Sequence, residues 1–270
     1  FGQDKSISSS RIPSVPRRYE RAMEAAFFGS RGVGLCYQIR RMNRFAGLRS
    51  PLAAYTVPFF VFMGGLMLTS ALRATGSEVF WLKHPEYWVY PLQTVLCAAA
   101  LVFYWRQYDF SKRGGLFTAT LAGLVVLGVW IAPQAVFGFP ERTEGFDPTV
   151  FGEGSVLYWT TLVARFARLV VIVPLVEEIF WRGFLMRFLV REDFEKARIG
   201  EFQWKAFLLV AVFFMLVHSM ADWPAAFLCG LVYNFVAVKT GSLAACVVAH
   251  SLTNLGLGAY IMATRQWGFW

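Results

Sequence analysis

Residues 156–190 read VLYWTTLVARFARLVVIVPLVEEIFWRGFLMRFLV. The run is apolar along its length, yet Arg165, Arg168 and Pro174 interrupt it and Glu177, Glu178 and Arg182 follow within two turns. As a single helix its 35 residues would extend about 52 Å at ~1.5 Å per residue. A bilayer's hydrocarbon core is only ~30 Å thick. Only part of the run can then cross, so the reading places the crossing at Val170–Val190, kinked near Pro174. Val156–Arg168 is expected to lie at the interface.

The neighbouring sequence has the same character. Leu52–Leu72, Tyr87–Trp105 and Leu116–Ala132 precede the run, and Ala206–Met220, Ala225–Val238 and Leu243–Met262 follow it. Each is apolar and bounded by charge, Gly or Pro, and the last two are divided by the Lys239–Ser242 turn. The expected fold is all-α: a polytopic membrane helical bundle of seven crossings, or eight if Val156–Arg168 also enters. Composition agrees, with 57% hydrophobic and 16% charged residues, whereas a soluble domain carries about 25% charged. The 27 Phe, 10 Trp and 10 Tyr also exclude an intrinsically disordered chain.

Four segments are expected: a basic N-terminal segment 1–50, scaffold helices and an outer loop over 51–155, a functional core over 156–262 and a tail over 263–270. The first 50 residues carry ten of the basic side chains against Asp4, Glu20 and Glu24. Within them, residues 17–28 read as either an amphipathic surface helix or a basic tail. With the N-terminus cytoplasmic, 18 Lys and Arg fall on inner segments and four on outer ones, the asymmetry expected of a cytoplasmic side. The net charge of +9 is therefore assigned to orientation and anionic lipid, with no nucleic-acid partner. Cys36, Cys97, Cys229 and Cys246 show no C-x-x-C spacing and read as packing residues.

Polar groups inside these helices need a reason, since a charge at the bilayer centre costs on the order of 2.5–3.5 kcal/mol even on the mildest scale. They gather in the C-terminal half as Glu177, Glu178, Arg182, His218, His250 and Asn254. Glu178 and Arg182 stand at i, i+4, the spacing of a helical ion pair. Adjacent helical residues point about 100° apart, so Glu177 is directed elsewhere and is the candidate acid or base. Phe214 lies one turn from His218, and His250 and Asn254 project together from the last crossing. Counted from the inner helix ends at ~1.5 Å per residue, Glu177, His218 and His250 lie about 20, 18 and 10 Å deep, heights compatible with one mid-membrane site.

Glu177-Glu178-x-x-x-Arg182, Phe214-x-x-x-His218 and His250-x-x-x-Asn254, in that order on successive helices, resemble the three-motif signature of the CPBP intramembrane protease family. That family includes the CAAX prenyl endopeptidases and bacteriocin-processing and self-immunity proteins. The resemblance covers about residues 156–262. It implies an intramembrane endopeptidase in which Glu177 and His218 activate a water while His250 and Asn254 hold the oxyanion, with Glu178, Arg182 and Phe214 in support. The implied substrate is a membrane-anchored peptide or protein, including prenylated CAAX-type termini, with membrane lipid as the surrounding partner. Glu177, His218 and His250 are also a conceivable Zn²⁺ ligand set. No helix carries H-E-x-x-H, and the metal-independent scheme, without cofactor, is favoured.

Two other classes compete. One is a catalytically silent protein of the same fold, acting as an immunity factor, chaperone or complex subunit. The other is an ion-coupled transporter, with Glu and His as proton relays, or a lipid-modifying enzyme. A lipid enzyme acting on diphosphates would normally need acidic clusters for Mg²⁺, and none is present. The expected location is a bacterial inner membrane.

Overall fold

A computed structural model describes Gly47, residues 50–140 and residues 145–270. The expectations placed on the basic N-terminal segment, including its 17–28 stretch and position 36, lie outside the described residues. Within them the chain is helical, with no strand. The elements are α1 Pro51–Arg73, the short α2 Phe80–Lys83, α3 Glu86–Tyr104, α4 Leu116–Ala135, α5 Val156–Val190, α6 Trp204–Leu216, α7 Trp223–Thr240 and α8 Leu243–Thr264. Six of these are long and apolar enough to cross a membrane, and α6 is a shorter apolar helix. This is a helical membrane bundle.

The surface confirms which solvent the chain is built for. Phe117 and Val156 are each 82% exposed, and Val102, Phe60, Val95 and Val163 also face outward. Such a coat is suited to lipid. Between helices, where lipid offers no hydrophobic advantage over side chains, close backbone approach holds the bundle. Cys97, Cys229 and Cys246 are buried free thiols in these seams, in agreement with their expected packing role.

α5 is the central element, packing against α1, α3, α6 and α8. It begins where Ser155 caps the Tyr158 amide and continues without interruption to Val190. The sequence reading divided this run near residue 169; the structure instead keeps one helix and inserts two wide π-type segments, Arg168–Ile172 and Ile179–Leu185. Pro174 explains the first. The Val173 N–H reaches back to the Arg168 carbonyl, so it is lost to Leu169, and Pro174 has no N–H to offer in its place. π-type turns of this kind are frequent at functional sites.

Chain ends and connections sort into two groups. At one end Tyr55 accepts from the Asp109 amide, Ser242 donates to the Lys112 carbonyl and Arg187 donates to the Ala197 carbonyl. Gly241, at φ +59°, makes the tight α7–α8 turn there, a conformation that a side chain would strain. At the other end Tyr87 donates to the Asp147 carbonyl and Arg265 pairs with Glu153. The first end collects Arg106, Lys112, Arg113, Arg191, Lys196, Arg198, Lys205 and Lys239, against Arg73, Lys83 and Arg265 at the second, with acidic residues at both.

α6 departs from expectation. Its 13 residues extend only about 20 Å, and the helix stops at Leu216. A polar turn follows, closed by the Ser219 hydroxyl donating to Asp222 and by Pro224 in the first turn of α7. His218 therefore sits just past a helix end and not on a crossing helix.

Candidate active site

The most deeply buried cluster is ionic. Glu178 and Arg182, both fully buried, are joined by Arg182 Nη1 and Glu178 Oε1 at 3.0 Å. The same carboxylate oxygen lies 2.9 Å from His250 Nδ1. Arg182 also donates Nε to Asn234 Oδ1 and Nη2 to the Gly230 carbonyl, at 3.0 and 3.1 Å. Asn234 in turn donates to the Phe207 carbonyl at 2.8 Å. One guanidinium thus ties α5 to α7 and, through Asn234, to α6. The Phe214 and Tyr233 rings lie 5.2 and 5.4 Å from its central carbon, adding cation–π attraction in a desolvated place.

Arg182's reach to α7 depends on Gly230. A Cβ there would lie 2.9 Å from Ala211 Cα and 3.2 Å from its Cβ on α6. Gly230→Val should wedge the two helices apart and withdraw the carbonyl from Arg182. Overpacking of this kind costs about 1–3 kcal/mol, read as a lower midpoint of thermal unfolding in detergent; an unchanged midpoint would show that α6 and α7 have slack here.

His250 is held on two sides. Besides Glu178, the Tyr233 ring stacks on it with centroids 5.1 Å apart, and the Tyr233 hydroxyl donates to Thr253 Oγ1 at 2.8 Å. Thr253 can pass its own hydrogen to the Gly123 carbonyl at 3.0 Å or the Ala249 carbonyl at 3.1 Å. With Nδ1 held by the Glu178 carboxylate, Nε2 is the nitrogen left for chemistry.

Asn254, one turn further along α8, meets a different part of α5. Its Nδ2 donates to the Leu169 carbonyl at 2.8 Å, the acceptor that the π-type turn and Pro174 leave without a backbone donor. His250 and Asn254 share a helix face as expected, but that face lies along α5, so the two residues engage positions nine residues apart. One Asn254 amide hydrogen remains. Asn254→Leu should leave the Leu169 carbonyl unsatisfied, which costs on the order of 1–3 kcal/mol; a stability equal to wild type would show that this bond contributes nothing.

Glu177 points away from the ion pair, as the helical geometry requires. It is 7% exposed, and its Oε2 has no hydrogen-bond partner in the protein. His218 is half-buried, with Nδ1 2.6 Å from the Phe214 carbonyl and its ring between Phe214 and Trp130. That bond fixes the proton on Nδ1 and leaves Nε2 as an acceptor. No hydrogen bond joins Glu177 to His218.

The structure therefore joins Glu178, Arg182 and His250 directly, packs Phe214 against both Arg182 and His218, and sets Asn254 on the α5 backbone. Sequence reasoning assigned Glu178 and Arg182 to a brace and passed over Tyr233, Asn234 and Thr253. Asn234 was the findable one, being an isolated carboxamide in an apolar helix, four residues from Gly230. Among the described residues no three His, Cys, Asp or Glu side chains are grouped as metal ligands would be. Each histidine has Nδ1 engaged and Nε2 left over, an arrangement that metal-binding histidines also show.

Residues 158–256 match the family model for type II CAAX prenyl endopeptidase Rce1-like proteins. Comparison with curated proteins and with solved structures finds no match. The matched span contains all three motif pairs and the residues around them.

Proposed function

From the match of residues 158–256 to the type II CAAX prenyl endopeptidase Rce1-like family model, we propose that this chain hydrolyses a peptide bond of a membrane-associated protein or peptide with a water activated by Glu177 and His218. The carrying observation is Glu177 itself: a carboxylate on the central helix, nearly buried, with an oxygen that no protein group satisfies. Buried polar atoms are almost always paired, so an unpaired one facing away from the structural ion pair supports a reactive role.

Glu177 accepts a proton as the water oxygen attacks the scissile carbonyl carbon. His218, oriented through Nδ1 by the Phe214 carbonyl, uses Nε2 to position that water. As the tetrahedral intermediate collapses, the proton held by Glu177 passes to the leaving amine and the C–N bond breaks. His250 answers the charge on the carbonyl oxygen. Glu178 holds the ring through Nδ1 and leaves its Nε2 edge toward the oxyanion, and the free Asn254 amide hydrogen donates to that oxygen. A lipid-bearing C-terminal peptide of CAAX type is the favoured substrate class, since it delivers a peptide bond to a site surrounded by lipid.

The scheme uses no metal. Purified protein dialysed against a chelator should keep its activity and contain no stoichiometric zinc; zinc lost together with activity would overturn this part of the proposal. The gathering of Lys and Arg at one end of the bundle supports an N-terminus on the cytoplasmic side of a bacterial inner membrane. Reporter fusions at either terminus test that orientation.

A further inference from the structure

The charges buried in this bundle do not all close on one another. Glu178 and Arg182 compensate each other at 3.0 Å, whereas Glu177 keeps an oxygen that nothing in the protein satisfies. One cation on the same helix is in the matching condition. Arg168 is 5% exposed and gives Nε and Nη2 to Gln93 Oε1 at 3.1 and 2.9 Å. The Tyr90 and Phe62 rings lie 4.3 and 5.2 Å from its central carbon. Gln93 is an amide whose own N–H is donated to the Phe62 carbonyl. It therefore holds the guanidinium in place and leaves its charge uncancelled.

The wide turn in α5 decides where that charge is felt. Glu177 follows Arg168 by nine residues, and at about 100° per residue a regular helix would set them on opposite faces. The π-type segment Arg168–Ile172 absorbs one residue of that rotation, which brings the two positions to about 80° apart. Asn254 pins the segment through the Leu169 carbonyl, next to Arg168. The two charges attract each other with no hydrogen bond between them. In a direct ion pair the guanidinium would occupy carboxylate oxygens, as Arg182 does with Glu178. A counter-charge held back by Gln93 instead offsets the burial of the carboxylate and leaves its unpaired oxygen to water.

We propose that Arg168 is the counter-charge of Glu177, a positioning residue that steadies the general base from a distance while Gln93 keeps it from closing on the carboxylate. The inference rests on the peptidase reading of Glu177, and the test separates the two. Wild type, Arg168→Gln, Arg168→Lys, Glu177→Gln and the double variant Arg168→Gln/Glu177→Gln are compared for cleavage of a lipidated peptide and for thermal unfolding in detergent. Arg168→Gln should lower kcat about tenfold with KM unchanged. Arg168→Lys, which keeps the charge and loses the fork, should retain most of the rate. A mere brace to Gln93 gives the reverse order, since glutamine can still donate to Gln93 Oε1. The unfolding midpoint should fall further when Arg168→Gln is made in wild type than when it is made in Glu177→Gln, because only the first leaves a carboxylate uncompensated. Glu177→Gln alone keeps its midpoint, the lost attraction being offset by a carboxylate no longer buried. Equal falls in the two backgrounds, the reverse order of the Lys and Gln variants, or a wild-type kcat in Arg168→Gln overturns the proposal and leaves the role of Glu177 intact. Full activity in Glu177→Gln removes the peptidase reading instead, while the midpoints still decide whether the two charges are coupled. If Arg168→Gln does not fold, Arg168→Lys decides: kcat near wild type upholds the proposal and a tenfold loss overturns it.

Discussion

Glu177→Gln should lose peptide-bond cleavage by a factor of about 10²–10⁴, the usual contribution of a positioned general base, while the protein folds and unfolds at an unchanged midpoint. The substitution keeps shape and removes the basic oxygen. Stability should be spared because Glu177 Oε2 bonds to no protein group, so no native hydrogen bond is lost at that atom. Glu178, one residue away, offers the contrast, since its carboxylate serves two partners. The measurement is cleavage of a lipidated peptide by reconstituted protein, with thermal unfolding alongside. Activity equal to wild type would remove Glu177 from the chemistry and with it the peptidase reading, leaving the catalytically silent alternative.

How much of this was legible in sequence differs from one element to the next. Of the seven apolar runs read as crossings, six become helices of bilayer length, a composition signal that survives any packing arrangement because residues facing lipid must be apolar. The Glu178–Arg182 bond follows from i, i+4 spacing alone. What pattern could not supply was the path of α5. An apolar run with Pro174 inside it suggests a break, and only the tertiary structure shows the backbone staying helical by widening its turns. The Leu169 carbonyl that this releases is met by Asn254, 85 residues later. Likewise the end of α6 at Leu216 depends on the turn built from Ser219, Asp222 and Pro224, whose signal was masked by the apolar residues on both sides. Arg165 and Arg168 were visible only as interruptions, since nothing in the order of residues says that Gln93 and the Tyr90 ring will meet them.

Arg182→Met should be the most destabilising single change in the bundle. Removing one partner of a buried ion pair costs about 3–5 kcal/mol, because the other charge is left without compensation. Here that charge is Glu178, fully buried, whose Oε2 already lacks a partner. The double variant Glu178→Leu/Arg182→Met removes both charges and should recover part of the loss. Recovery stays incomplete because Asn234 Oδ1 and the Gly230 carbonyl lose the donor they had. The two readings of Glu178 separate on activity. If it only braces the helix, the double variant regains cleavage together with stability. If it also holds His250 through Nδ1 in the place where the ring answers the oxyanion, stability returns while kcat does not. Our expectation is the second outcome, measured as kcat against unfolding midpoint for wild type, the single variant and the double; a double variant as active as it is stable would return Glu178 to the part of a brace.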